Sequence, residues 1–194
     1  MADLAGSRGS LGVWYTWWKG DALTTLPPLP GFAVEQVADS RSSAVQSLLR
    51  AADVDAYLHD GHRLYIARID RMAVGYGWCA TSVASIGELN HTFTLPPGAR
   101  YLWDFVTAPA WRGRGVYPHL LQAILTRESA EAERFWIGHA PQNAASARGI
   151  TKAGFQRVGE LYALSDGSLG LLPDAQTERN APAEAILGVR LLTG

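Results

Sequence analysis

Between residues 101 and 125 the hydrophobic pattern changes its period. Residues 101–106 are rich in β-branched and aromatic side chains and read as a strand. Strict alternation places Leu102, Asp104 and Val106 on one face and Tyr101, Trp103 and Phe105 on the other. After a polar interval, Val116, Leu120, Leu121, Ile124 and Leu125 recur at the spacing of one helical face. Upstream, Phe32–Val37 alternates as a strand, Ala44, Val45, Leu48 and Leu49 mark a helix capped by Asp39 or Ser40, and a second helix runs from about Asp53 to Leu58. Arg63–Ile69 and residues 73–80 form a hairpin turned at Asp70-Arg71, and residues 83–95 read as one further strand closed by Pro96-Pro97-Gly98. Arg134–His139 is a short strand, and residues 143–153 are helical up to Gly154. Residues 185–192 are expected to add a last strand or to cover a subunit interface. Gly12–Trp18, with three tryptophans and a tyrosine, reads as an extra edge strand, or as the wall of a ligand pocket. The order predicts an α/β architecture with a mixed sheet.

Length and composition narrow this further. A chain of 194 residues with 47% hydrophobic and 18% charged positions suits one globular domain, 1–194, with residues 1–10 expected frayed and residues 11–30 an aromatic and Pro-rich extension. A formal charge of −1 gives no overall field toward nucleic acid or anionic lipid, so neither is expected as a partner. The single cysteine, Cys79, excludes an internal disulfide and fits a reducing cytoplasm. No apolar run approaches the roughly 18 residues of a membrane span. No Cys/His spacing or carboxylate cluster points to a metal.

The polar interval carries the chemistry. Arg112-Gly113-Arg114-Gly115 stands between strand and helix, where glycine admits close backbone approach and a helix entry offers free N–H groups and the positive end of its dipole. Two guanidinium groups strengthen that anion site, and a phosphate-bearing ligand follows. The nucleotide P-loop is excluded by the missing Lys and Ser/Thr, and the dinucleotide fingerprint by Pro118 at its third glycine. An Arg-Gly RNA-binding tract needs repeats that the chain lacks.

Residues 107–116, Thr-Ala-Pro-Ala-Trp-Arg-Gly-Arg-Gly-Val, resemble the pyrophosphate loop of the GNAT superfamily of acyl-CoA-dependent N-acyltransferases, with Thr107 in place of the usual Val and Tyr117 in place of a small residue. Downstream, Asn143, Ser146, Lys152 and Gly154-Phe155 resemble that family's second block at the right distance. The resemblance covers roughly residues 62–165. It implies the GNAT fold, a mixed, mostly antiparallel sheet with helices on both faces and a splayed pair of central strands. It implies acetyl-CoA, or another acyl-CoA, as co-substrate and no metal. By the same resemblance Val106, Thr107, Arg112, Gly113, Arg114, Gly115, Val116, Tyr117, Asn143 and Ser146 hold the coenzyme, with a backbone N–H near Val106 polarising the thioester.

The implied reaction is transfer of an acetyl group to the primary amine of a small-molecule or peptide acceptor. A base must free that amine, and Asp104 is the first candidate, Glu88 the second, with His91 and His139 behind them. The family's usual tyrosine acid falls on Ile150, which leaves water, Tyr117 or Tyr162. The alternative is a non-catalytic acyl-CoA-binding sensor or assembly module on the same fold. A homodimer is compatible with either.

Overall fold

The computed structural model describes residues 9–193, so most of the stretch expected to fray lies outside the described residues. The strands and helices are β1 (Gly12–Trp18), β2 (Phe32–Val37), α1 (Ser43–Leu48), α2 (Ala51–His59), β3 (Arg63–Ile69), β4 (Met72–Ala80), β5 (Val83–Ile86), β6 (His91–Thr94) and β7 (Ala99–Thr107). They continue as α3 (Val116–Glu128), β8 (Arg134–His139), α4 (Ala144–Ala153), β9 (Gln156–Ala163), β10 (Leu169–Pro173), α5 (Asn180–Leu187) and β11 (Arg190–Leu191). Nine strands form one sheet in the order β11-β10-β9-β1-β8-β7-β4-β3-β2, antiparallel except for β7 with β8 and β10 with β11.

Both faces of the sheet are covered. Tyr65, Leu102, Phe135 and Ile137 pack with Leu120, Leu121 and Ile124 of α3 and Ile150 of α4 on one side. On the other, Leu64, Ile66 and Trp78 meet α1 and α2, while Trp14, Tyr101 and Trp136 meet Ala183, Ile186 and Leu187 of α5. The mixed sheet with helices on both faces is the predicted class.

Four local expectations change. β1 is an interior strand, antiparallel to β8 on one side and to β9 on the other. Its five central residues are all buried, because a strand with both faces covered has no polar side to show. Residues 83–95 make not one strand but the β5–β6 hairpin, a separate two-stranded sheet turned through Gly87–Leu89 and Asn90. Most of residues 185–192 belong to α5 and the two-residue β11. The first helix is entered at Ser42 without a side-chain cap, and Asp39 instead accepts from the Arg41 backbone N–H.

β7 carries a fifth change and positions the site. It pairs with β8 from Ala99↔Arg134 to Leu102↔Ile137, after which the two strands part. Asp104 then adopts a left-handed backbone, φ 47°, and the register against β4 shifts, so that Gly77 faces two residues where one would do. This bulge breaks the strict alternation. Phe105 turns to the α3 side, where a Cβ on Gly77 would stand 2.1 Å from its Cε1. Asp104 is left among Tyr101 and Trp103 on the opposite side, not with Leu102. A left-handed non-glycine residue costs on the order of 1 kcal/mol, least for Asp and Asn, whose short side chains tolerate it best.

Far from the bulge, a buried ion cluster fastens α3 to the sheet. Glu128, 1% exposed, accepts from Arg63 Nη1 at 2.9 and 3.0 Å, from Arg100 Nε at 2.7 Å and from the Tyr65 hydroxyl.

Candidate active site

The loop between β7 and α3 has the anatomy its sequence predicts. After a turn of 3₁₀ helix at Pro109–Trp111, Gly113 and Gly115 take φ of 76° and 85°, and Gly115 caps α3. A left-handed residue here folds the chain so that successive N–H groups face outward. Those of Gly113, Arg114, Gly115, Val116 and Tyr117 find no acceptor among the described residues, and Pro118 has no N–H to offer. Arg112 Nε donates to Thr107 O at 3.1 Å and ties the loop to the strand end. The exposed Arg114 guanidinium lies 5.0 Å from the Trp111 ring centroid. A cluster of unpaired amides at a helix N-terminus with two arginines has the chemistry to bind an anion such as a phosphate.

Tyr117, the departure from the expected small residue, leaves those amides clear. Its ring lies between α3 and α4 on Gly149, where a Cβ would come within 2.2 Å of Tyr117 Cδ1. Its hydroxyl stands 3.3 Å from Ser146 Oγ, and Ser146 N–H donates to Asn143 Oδ1 at 3.0 Å. The structure thus brings three of the predicted residues together at the mouth of α4. Burial pushes the Tyr117 hydroxyl well above the usual tyrosine range, so it stays protonated. Val106 and Thr107 lie on the segment of β7 that has lost its partner on the β8 side, and Val106 is exposed. Lys152 is exposed in the last turn of α4.

Across the sheet from the α3–α4 groove lies a cleft of 1180 Å³, walled by β1, the end of α2, the β5–β6 hairpin, β7 and the tip of β8. Asp104 and Glu88 both line it. Burial raises the Asp104 carboxyl above the ordinary aspartate range; a hydrogen bond from Tyr76 Oη at 3.3 Å opposes this and the charge of Glu88 adds to it. A raised proton affinity makes a carboxylate a better proton acceptor than an ordinary aspartate. His62 also lines the cleft; burial lowers its proton affinity, and its Nδ1 accepts from Trp103 Nε1 at 3.1 Å, so it is neutral with the proton on Nε2.

The other predicted candidates fall elsewhere or are already engaged. His139 reaches the cleft, but its Nδ1–H donates to Ala140 O at 2.8 Å and its Nε2 faces the Tyr15 hydroxyl at 3.3 Å. His91 Nε2 donates to Leu187 O at 2.6 Å and joins the hairpin to α5. Tyr162 donates to Glu160 on β9, outside the cleft. Ile150 is fully buried in the α3–α4 core. Tyr57, His62 and Tyr76 went unread in the sequence, because only the placement of α2 and β4 around β7 makes them neighbours, whereas Gly12–Trp14 do line the cleft, in keeping with the pocket-wall reading of that stretch.

The profile of the acetyltransferase (GNAT) family matches residues 32–155, well over half of the chain. The chain belongs to that family. Solved structures agree in fold. An acetyltransferase of the GNAT family from Colwellia psychrerythraea superposes with a TM-score of 0.54 at 13% identity, covering 79% of this chain and 54% of that one. A putative GNAT acetyltransferase from Novosphingobium aromaticivorans gives 0.52 at 17% identity, covering 81% and 65%. The GNAT chain described here therefore spans between half and two thirds of the length of these two structures. No curated protein sequence matches it. In this GNAT chain the family match includes the loop and α4 but stops at Phe155, and β1 lies outside it.

Proposed function

We propose that the chain transfers an acetyl group from acetyl-CoA to the primary amine of an acceptor, by direct attack of the amine on the thioester. The carrying observation is one of placement. Five unpaired amides at the head of α3 stand at the end of the same strand, β7, that has parted from β8 and bears a carboxyl of raised proton affinity. The amides of Gly113–Tyr117, with Arg112 and Arg114, hold the diphosphate. The free edge of Val106 and Thr107 pairs with the amide-bearing arm and offers an N–H to the thioester oxygen. Asn143 and Ser146 flank the arm from α4.

Asp104 takes the proton of the incoming ammonium, whose pKa is near about 10.4 and which attacks only when neutral. The C–N bond forms, the C–S bond breaks, and the departing thiolate takes a proton. Tyr117, protonated and next to Ser146, packs against the core that holds Ile150 and is the proposed donor in place of the absent tyrosine. A covalent acyl-enzyme is not needed, since Cys79 is fully buried with its thiol pushed up by burial. That free thiol also suits a cytoplasmic location.

The experiment is thiol release from acetyl-CoA over a panel of amines, with calorimetry of CoA binding alongside. Asp104→Asn is expected to bind CoA normally and to lose roughly 10²–10⁴ in kcat. Tight acetyl-CoA binding without turnover of any amine would instead establish the sensor reading, and no binding at all would defeat both.

A further inference from the structure

We propose that the cleft takes a monoamine carried on a flat aromatic body, a proposal that rests on the acyl-transfer reading above and names its acceptor class. Charge comes first. Among the described residues, the carboxylates lining the cleft are Asp60, Glu88 and Asp104. Among the described residues no Lys or Arg faces it, so the field of these side chains draws an ammonium and repels an anion. Glu88 lies near enough to Asp104 to raise its proton affinity, which places two carboxylates at the end of the cleft where β7 and β8 part. The reacting nitrogen belongs there.

Apart from Asp60, Ser85 and His139, the rest of the lining is aromatic or apolar. Tyr57, His62 and Trp103 form an aromatic corner, with Tyr57 to Trp103 at 4.8 Å and edge-on, and His62 to Trp103 at 5.3 Å. Trp78 stacks behind Trp103 at 5.7 Å, and the indole N–H is fixed on His62, so the corner is set before any ligand arrives. Tyr57 lines the cleft and remains 38% exposed. Apolar lining is added by Leu11, just before β1, by Ile86 and Leu89 of the hairpin and by Leu161 on β9. A flat ring finds aromatic stacking partners and hydrocarbon in the same cleft. A polyhydroxylated amine would press several hydroxyls against this aromatic and hydrocarbon lining, and a flexible polycation would leave its rings without a stacking partner.

The test compares kcat/KM of the full chain at saturating acetyl-CoA for tryptamine and phenethylamine against spermidine and kanamycin. Tryptamine and phenethylamine are expected to exceed the polycations at least tenfold. Tyr57→Ala should raise KM for tryptamine about tenfold, with the change carried by KM rather than kcat, and Tyr57→Phe should keep KM near that of the parent. Glu88→Gln should raise KM for tryptamine while leaving inhibition by tryptophol, its neutral alcohol counterpart, unaltered. A higher kcat/KM for kanamycin or spermidine, or a KM indifferent to Tyr57→Ala, would overturn the aromatic acceptor and leave acyl transfer standing. Acetyl-CoA binding with no amine turned over would overturn both.

Discussion

Gly149 sits in the interior of α4, where glycine costs roughly 1 kcal/mol relative to alanine, so Gly149→Ala ought to stabilise the helix by about that amount. The structure predicts the opposite. An added Cβ would meet Tyr117 Cδ1 at 2.2 Å, Cε1 at 2.7 Å and Cγ at 3.3 Å, against an optimum of about 3.5–4.0 Å between carbons. The ring has little room to retreat, with Phe105 at 5.2 Å between centroids and its hydroxyl beside Ser146. Overpacking of this kind costs about 1–3 kcal/mol, and two ring atoms inside 3.0 Å put it at the upper end. Net of the helix gain, Gly149→Ala is expected to destabilise by about 2 kcal/mol. In a Tyr117→Ala background the clash disappears and the same substitution should stabilise by about 1 kcal/mol, a coupling of about 3 kcal/mol. Urea unfolding of the four proteins of this cycle measures it, read as midpoint shifts at constant m. If Gly149→Ala stabilises with Tyr117 present, or if the coupling is under about 0.5 kcal/mol, the argument that glycine 149 exists to seat tyrosine 117 is refuted.

Glu128→Gln should cost about 3 kcal/mol, because it strands Arg100, 7% exposed, and Arg63 with only the half-exposed Glu131 to pair with. Although burial opposes it, the bonds from Tyr65, Arg100 and Arg63 hold the Glu128 carboxyl below its ordinary range. That stability is present above the unfolded value of about 4.3 and is lost as pH falls through the depressed folded one, so the gap to the variant should shrink in urea titrations below about pH 4. Asp104 has the opposite perturbation: kcat/KM should rise with pH along an acidic limb displaced above about 3.9, and Asp104→Asn should abolish that limb. Arg114→Ala should weaken CoA binding about fivefold at low salt, and the difference should narrow in calorimetry as salt is raised.

The loop and its helix were legible because their signals are local. Glycine at 113 and 115 reports a left-handed backbone, and the period of Val116–Leu125 reports one buried face. Asn143 as a helix cap was legible for the same reason. What escaped was set by distant residues. Alternation misplaced Asp104 because a bulge opposite Gly77 carries no motif of its own in β7. The unbroken apolar run of β1 was itself the signature of an interior strand, but its neighbours β8 and β9 lie far along the chain, and proximity in sequence suggested an edge. The acidic and aromatic cleft was illegible because six separate segments build it.

The position of β1 also has a consequence for biosynthesis. Thr16 hydrogen-bonds to the Phe135 carbonyl, 119 residues away, and Gly12 is registered against Leu161. A ribosome adding about 5–20 residues each second therefore releases this tryptophan-rich segment many seconds before the slot that receives it has been made. Until then its indoles face water and other nascent chains, and the slot, once formed, can close without it. Slow acquisition of activity and a need for chaperones during synthesis follow directly from this long-range closure.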